Sequence, residues 1–212
     1  VRSPPKPLFA ASLALLLAAC AVPQLPGPAA DREAAAAAYR QRAERLAGLA
    51  GWRLDGRVVA KGPGESGQAR IRWSRSDGEG RLAVRNPFGQ TMLEVRSGNG
   101  GLRMRDARGN LYRGDQVAAE LRRRLGWRVP VGRLADWALG LRPGGRVPED
   151  LDGRGRPRHL TAGAWTVTFA EYTRVDGLWL PQAMHVSRDD MALRIRVDRW
   201  RLQWPEDAGR GG

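Results

Sequence analysis

Cysteine, histidine and lysine are nearly missing from this chain, and each shortage excludes a kind of chemistry. The one cysteine, Cys20, rules out an intramolecular disulfide. The two histidines, His159 and His185, lie in Arg-rich segments with no cysteine or carboxylate at metal-ligand spacing. No metal site is predicted from them; both are expected on a surface or a sheet face. Lysine occurs only as Lys6 and Lys61, and no G-x-x-x-x-G-K-[ST] run exists, so a P-loop for ATP is excluded. The chain therefore reads as a non-enzyme with no cofactor. The longest apolar run, Leu8 to Leu17, is too short to span a bilayer comfortably.

What remains is dominated by arginine. The 36 basic residues include 34 Arg, against 22 acidic residues, for a formal net charge of +14. Such an excess reflects either a GC-rich genome or contact with an anionic surface. The Arg residues are spread evenly and lack aromatic interleaving, which argues against nucleic acid. With 42% hydrophobic and 27% charged residues over 212 positions, one folded domain with tails is expected.

The first 20 residues, VRSPPKPLFAASLALLLAAC, place Arg2 and Lys6 before an apolar run and then small residues. That is the order of a secretory signal. Its end, Leu17-Ala18-Ala19-Cys20, resembles the lipobox of bacterial lipoproteins. This implies cleavage before Cys20 and acylation of its thiol, and Ala21 fits an outer-membrane address. Residues 1–19 are read as signal peptide, and 20–30 as lipidated cysteine and Pro-rich tether. The folded domain is expected over 31–205, with 206–212 a disordered tail.

In the body, Asp31 is expected to cap an Ala-rich helix to about Leu49, with Tyr39, Ala43, Leu46 and Ala50 on its buried face. Period-2 alternation of apolar residues and Arg then marks antiparallel strands with one wet face: WRLDGRVVA, ARIRW, RLAVR, TMLEVR and LRMR. Two short amphipathic helices follow, GDQVAAELRRRLG capped by Asp115 and RLADWALG, and then a loop, GRVPEDLDGRGRPR. Strands resume from Trp165. In the last of them the apolar parity switches from odd at Val197 to even at Trp200, predicting a β-bulge near Asp198 and Arg199. The fold expected is mostly β: an open, incomplete antiparallel barrel covered by helices. Its inward residues are Trp52, Leu54, Trp73, Leu82, Val84, Leu93, Trp137, Trp165, Val167 and Ile195. They either fill a solid core or wall an apolar cavity. Eight Trp against three Phe favours rigid walls.

One stretch resists a structural explanation. Asn86-Pro87-Phe88-Gly89 is a turn by local rules, yet its tip carries an aromatic residue. Taken with Trp52-x-x-x-Gly56-Arg57, Ile71-x-Trp73 and Gly126-x-x-x-Pro130-x-x-x-Leu134-x-x-Trp137-x-x-Gly140, the series resembles the LolB family of outer-membrane lipoprotein receptors. The resemblance implies an open barrel around an acyl-chain cavity. It also implies a LolA-like periplasmic carrier as partner, acylated lipoproteins as cargo, outer-membrane lipids as destination, and a monomer anchored at the periplasmic face. The family's exposed apolar loop residue falls on Phe88. The alternative is a structural or polyanion-binding barrel lipoprotein of the envelope.

Overall fold

The structure, a computed structural model, describes residues 28–64, 66–126 and 131–205. The expected signal peptide, Cys20 and the tail lie outside the described residues. Helix α1 (Pro28–Ala47) starts ahead of the expected Asp31 cap. Proline suits a first helical turn, where its missing N–H would have been unpaired anyway. Asp31 instead sits inside that turn, complementing the helix dipole. Residues 28–30, expected as tether, are therefore helical. The buried face of α1 is Ala35, Tyr39, Arg42 and Leu46, which puts an arginine where an apolar residue was expected.

Six strands follow: β1 (Gly51–Lys61), β2 (Gly67–Ser76), β3 (Glu79–Arg85), β4 (Thr91–Ser97), β5 (Arg103–Asp106) and β6 (Leu111–Arg113). Helices α2 (Asp115–Leu125) and α3 (Val131–Ala138) come next. The chain then forms β7 (Asp150–Leu151), β8 (Pro157–Ala162), β9 (Trp165–Val175), β10 (Leu178–Arg188) and β11 (Met191–Gln203). All strands join one antiparallel sheet in the order β6-β5-β4-β3-β2-β1-β11-β10-β9-β8-β7. The edges β6 and β7 do not pair with each other, so the sheet is open. The chain passes from one edge to the other through α2 and α3. This is the incomplete barrel with helices that the alternation predicted.

The expected bulge is present. Asp55 faces Arg199 while Gly56 faces Val197, which leaves Asp198 as the extra residue. Gly56 is what lets the two strands approach there. A Cβ at that position would overlap the Arg196 carbonyl oxygen and lie 3.1 Å from Val197 Cα. Pro181, fully buried, produces a second irregularity between β10 and β9, and its carbonyl accepts the Trp200 indole N–H at 3.0 Å.

Two further expectations are corrected. Asp115 is the first residue of α2 rather than its cap, a place taken by Gly114 at φ 50°. Gly126 ends the helix, with φ 78° and its N–H donating to Arg122 O. The segment 145–158, expected as loop, contains β7 and the start of β8. Pro157 opens β8, a strand position that tolerates its missing donor. The Asp152 carboxylate organises the intervening turn, accepting the backbone N–H groups of Arg154 and Arg156, both at 2.9 Å.

Candidate functional site

The apolar parity of every long strand points to one face of the sheet, and three clusters share that face. Trp52, Leu54, Ile71, Val197 and Trp200 form one with Leu178 and Leu180. Trp137 of α3 joins Trp165, Val167, Phe169, Met184 and Val186 in the second. Val95 and Met104 meet Val117 and Leu121 of α2 in the third. Ile195 touches the first two clusters and Leu82 touches the first and third, so the face is continuous. Tryptophans join it along its length. Trp52 meets Trp73 at 5.3 Å and Trp200 at 5.9 Å between ring centroids, both edge-on, and Trp137 lies 6.3 Å from Trp165. These are the spacings at which aromatic pairs attract beyond simple burial.

Coverage of this face is uneven. Of the ten inward residues expected to line a cavity, Trp52, Leu54, Trp137, Trp165 and Val167 are buried by protein neighbours. Trp73, Leu82, Val84, Leu93 and Ile195 are only half-covered. On β9, β10 and β11 the inner residues Val167, Phe169, Met184, Val186, Leu193 and Val197 are all buried. On β2, β3 and β4 most of their counterparts keep access to solvent, as do Leu134 and Ala135 on α3. One arm of the sheet is thus finished as a core and the other is left partly open. The Trp137 indole N–H, fully buried, has no hydrogen-bond partner.

The turn between β3 and β4 stands at the open arm. Gly89 N–H donates to Asn86 O at 3.0 Å and Asn86 N–H to Gln90 O at 2.9 Å. The Asn86 side chain adds two more bonds to Gln90, accepting from its N–H and donating to its Oε1. Asn, Pro and Gly at first, second and fourth positions satisfy a type I turn, and Gly89 takes the left-handed φ of 89° that closes it. None of these bonds uses Phe88, whose side chain is 90% exposed. The turn is complete without the aromatic, and the aromatic has nothing to pack on.

Sequence reasoning missed Arg42. It is 6% exposed, and its guanidinium donates to the carbonyls of Leu139 (2.8 Å), Gly140 (2.5 Å) and Trp179 (3.2 Å). The Tyr39 ring lies 5.7 Å below it, and Tyr39 OH accepts the Arg142 N–H at 2.9 Å. Burial lowers the pKa of Arg42 and raises that of Tyr39. Together these residues fasten α1 over the end of α3 and β10. The basic run on α2 is tied into the fold. Arg123 and Arg124 both bind Glu120, at 2.7–2.8 Å, and Arg124 reaches the buried Asp106 at 2.7 Å. The two arginines hold the Glu120 carboxyl down at about 2. His159 pairs with Asp150 at 2.6 Å on the surface. Among the described residues, no cluster of His, Cys, Asp or Glu is disposed to hold a metal ion, and no helix is long and apolar enough to cross a membrane.

This architecture puts the chain in the class of open antiparallel barrels bridged by helices. The family model described as outer membrane lipoprotein LolB matches residues 50–200, which run from the start of β1 to the Trp200 position of β11. The chain belongs to that family, a family of outer-membrane lipoproteins and not of enzymes. The outer-membrane lipoprotein LolB of Azoarcus sp. (strain BH72) is 31% identical over 187 residues, covering 88% of this chain and 90% of the relative. That of Pseudomonas paraeruginosa is 26% identical over 206 residues, covering 93% and 99%. Among solved structures, a LolA superfamily protein from Nitrosomonas europaea superposes with a TM-score of 0.44 at 6% identity, covering 79% of this chain and 93% of that one. A superposition that loose carries no function with it.

Proposed function

We propose that this chain is a monomeric receptor, held at the periplasmic face of the outer membrane by an acylated Cys20. It takes lipoproteins from a LolA-like carrier onto its apolar inner face and releases them into the outer membrane without ATP. The observation that supports this reading is one juxtaposition. An inner face left half-covered on β2, β3 and β4 sits beside a turn tip whose Phe88 is 90% exposed. Each acyl CH₂ in water costs about 0.8 kcal/mol, so a chain of ~16 carbons costs on the order of 12 kcal/mol. Cargo must stay covered during handover, and Trp73, Leu82, Val84 and Leu93 offer that cover without first dismantling the β9–β11 core. With no nucleotide site, direction comes from affinity differences between carrier, receptor and bilayer.

Cargo carrying a photoactivatable acyl chain, loaded from the carrier onto the full chain, tests this. Crosslinks are expected in peptides containing Trp73, Leu82, Val84 and Leu93. Labelling that is absent, or confined to the outer face of the sheet, would favour a scaffolding or polyanion-binding lipoprotein instead.

A further inference from the structure

The outer face of the sheet carries a ladder of like charges. Arg85 of β3 lies directly opposite Arg70 of β2, Arg70 opposite Arg57 of β1, and Arg57 opposite Arg196 of β11. Neighbouring strands are about 4.8 Å apart, so four arginine stems stand within about 14 Å. Further along, Arg194 lies opposite His185 of β10. Like charges placed directly opposite destabilise a sheet, so folding alone disfavours this arrangement. Arg57, Arg70, Arg194, Arg196 and His185 line a groove of about 640 Å³.

The groove, and Arg85 at the end of the ladder beside it, are short of anions. Arg57 has Asp198 at 2.7 Å and Arg196 has Glu171 at 2.9 Å. Among the described residues, Arg70, Arg85 and Arg194 have no carboxylate at ion-pair distance, and the buried His185 Nε2 has no hydrogen-bond partner. The opposite end of the same strands shows the contrast. There a second concavity, lined by Arg53, Arg75, Arg81 and Arg201, also contains Asp77 and Glu79. Only the first groove includes Pro87, the residue before exposed Phe88.

We propose that this groove binds the phosphate of anionic lipid headgroups, so that the arginines hold phosphates while Phe88 enters the acyl boundary beside them. The proposal rests on the membrane-facing role of the tip given above. Adjacency to that tip selects a lipid over an acidic protein. Guanidinium forks match phosphate oxygens in pairs, and a basic cluster at a bilayer surface attracts anionic lipid.

The test is flotation of the full chain, carrying Cys20→Ala so that the anchor does not contribute, with phosphatidylcholine vesicles with or without phosphatidylglycerol. Each basic residue near an anionic surface is worth roughly fivefold in affinity. The triple variant Arg70→Gln, Arg85→Gln, Arg194→Gln is thus expected to bind anionic vesicles about 100-fold more weakly at low salt, with neutral-vesicle binding unchanged. A control triple, Arg53→Gln, Arg81→Gln, Arg201→Gln, removes the same charge at the far end and is expected to lose far less. Equal losses in the two triples would overturn the site in favour of diffuse electrostatics. Retained vesicle binding in the groove triple, together with lost uptake of cargo from the carrier, would assign the groove to a protein and overturn the lipid assignment. Inorganic phosphate that perturbs the His185 ring signals, in a chain with no preference for anionic vesicles, would mark a free-anion site and also overturn it. Phe88→Glu separates the two ideas: it is expected to abolish neutral-vesicle binding and to keep the preference for anionic ones. If it binds neutral vesicles normally, the tip reading fails while the groove is still judged by its own triples.

Discussion

Replacing Arg42 by methionine should loosen the fastening of α1. The change keeps the aliphatic stem and removes a guanidinium that donates to three carbonyls, those of Leu139, Gly140 and Trp179. Hydrogen bonds from a charged donor are worth about 1.5–3 kcal/mol each, and a buried carbonyl left unpaired costs about 1–3 kcal/mol. Against this stands the recovered desolvation cost of an arginine that is 6% exposed and, among the described residues, has no carboxylate at ion-pair distance, several kcal/mol in a real protein. A net loss of about 2–4 kcal/mol follows. Arg42→Lys, a point donor that cannot reach three carbonyls at once, should recover less than half of it. Urea denaturation followed by tryptophan fluorescence reads the change as a lower midpoint at constant slope. A loss below about 0.5 kcal/mol for Arg42→Met would contradict this fastening role. It would mean that desolvation cancels the bonds and that α1 is held by its Ala35, Tyr39 and Leu46 contacts alone.

Gly56→Ala should cost about 2–4 kcal/mol by the same assay, because the added Cβ meets the Arg196 carbonyl at the bulge rather than a movable side chain; a neutral result would show that the bulge relaxes. The Glu120 carboxyl is held at about 2, below its ordinary 4.5, first by hydrogen bonds from Arg123 and Arg124. Its folded-state value is depressed, so its contribution is full above pH 4.5 and fades as pH falls towards 2. The urea midpoint of Glu120→Gln should accordingly depend less on pH across that window, and parallel profiles would contradict this. Cys20→Ala, given an ordinary signal-peptide cleavage site, should fractionate as soluble periplasmic protein if, as proposed, the acyl chains on Cys20 are the anchor; firm retention in outer membranes would refute acylation as the anchor.

The open barrel was legible because strand alternation survives wherever one face is wet. The Arg/apolar rhythm of β1 to β4 and the parity switch at Asp198 both depend on that rule alone. Short elements escaped it. β6 has three residues and β7 has two, too few for a period, and the Pro and Gly residues around β7 read as loop. Arg42 was invisible for another reason. Sequence patterning assigns buried helix positions to apolar side chains, and the carbonyls that satisfy this guanidinium lie 97 residues or more away in the chain. The inward residues fall in three connected apolar clusters, but parity does not tell a filled core from a half-open one. That difference, inner residues mostly buried on β9–β11 and mostly half-covered on β2–β4, depends on which elements lie over the sheet, and parity does not carry it. Phe88 was readable because its turn needs Asn, Pro and Gly and gives no use for an aromatic.

Delivery of lipoprotein from loaded receptor to liposomes by the Phe88→Glu chain decides whether the exposed tip hands cargo to the bilayer. A buried Phe is worth roughly 1.5–3 kcal/mol, too little for an anchor but enough to set a mouth against a bilayer. Phe88→Glu is expected to melt like the parent, accept cargo from the carrier and fail to deliver it, while Phe88→Leu delivers normally. Normal delivery by Phe88→Glu would contradict this expectation, and a large loss of thermal stability would show that the side chain belongs to the core after all.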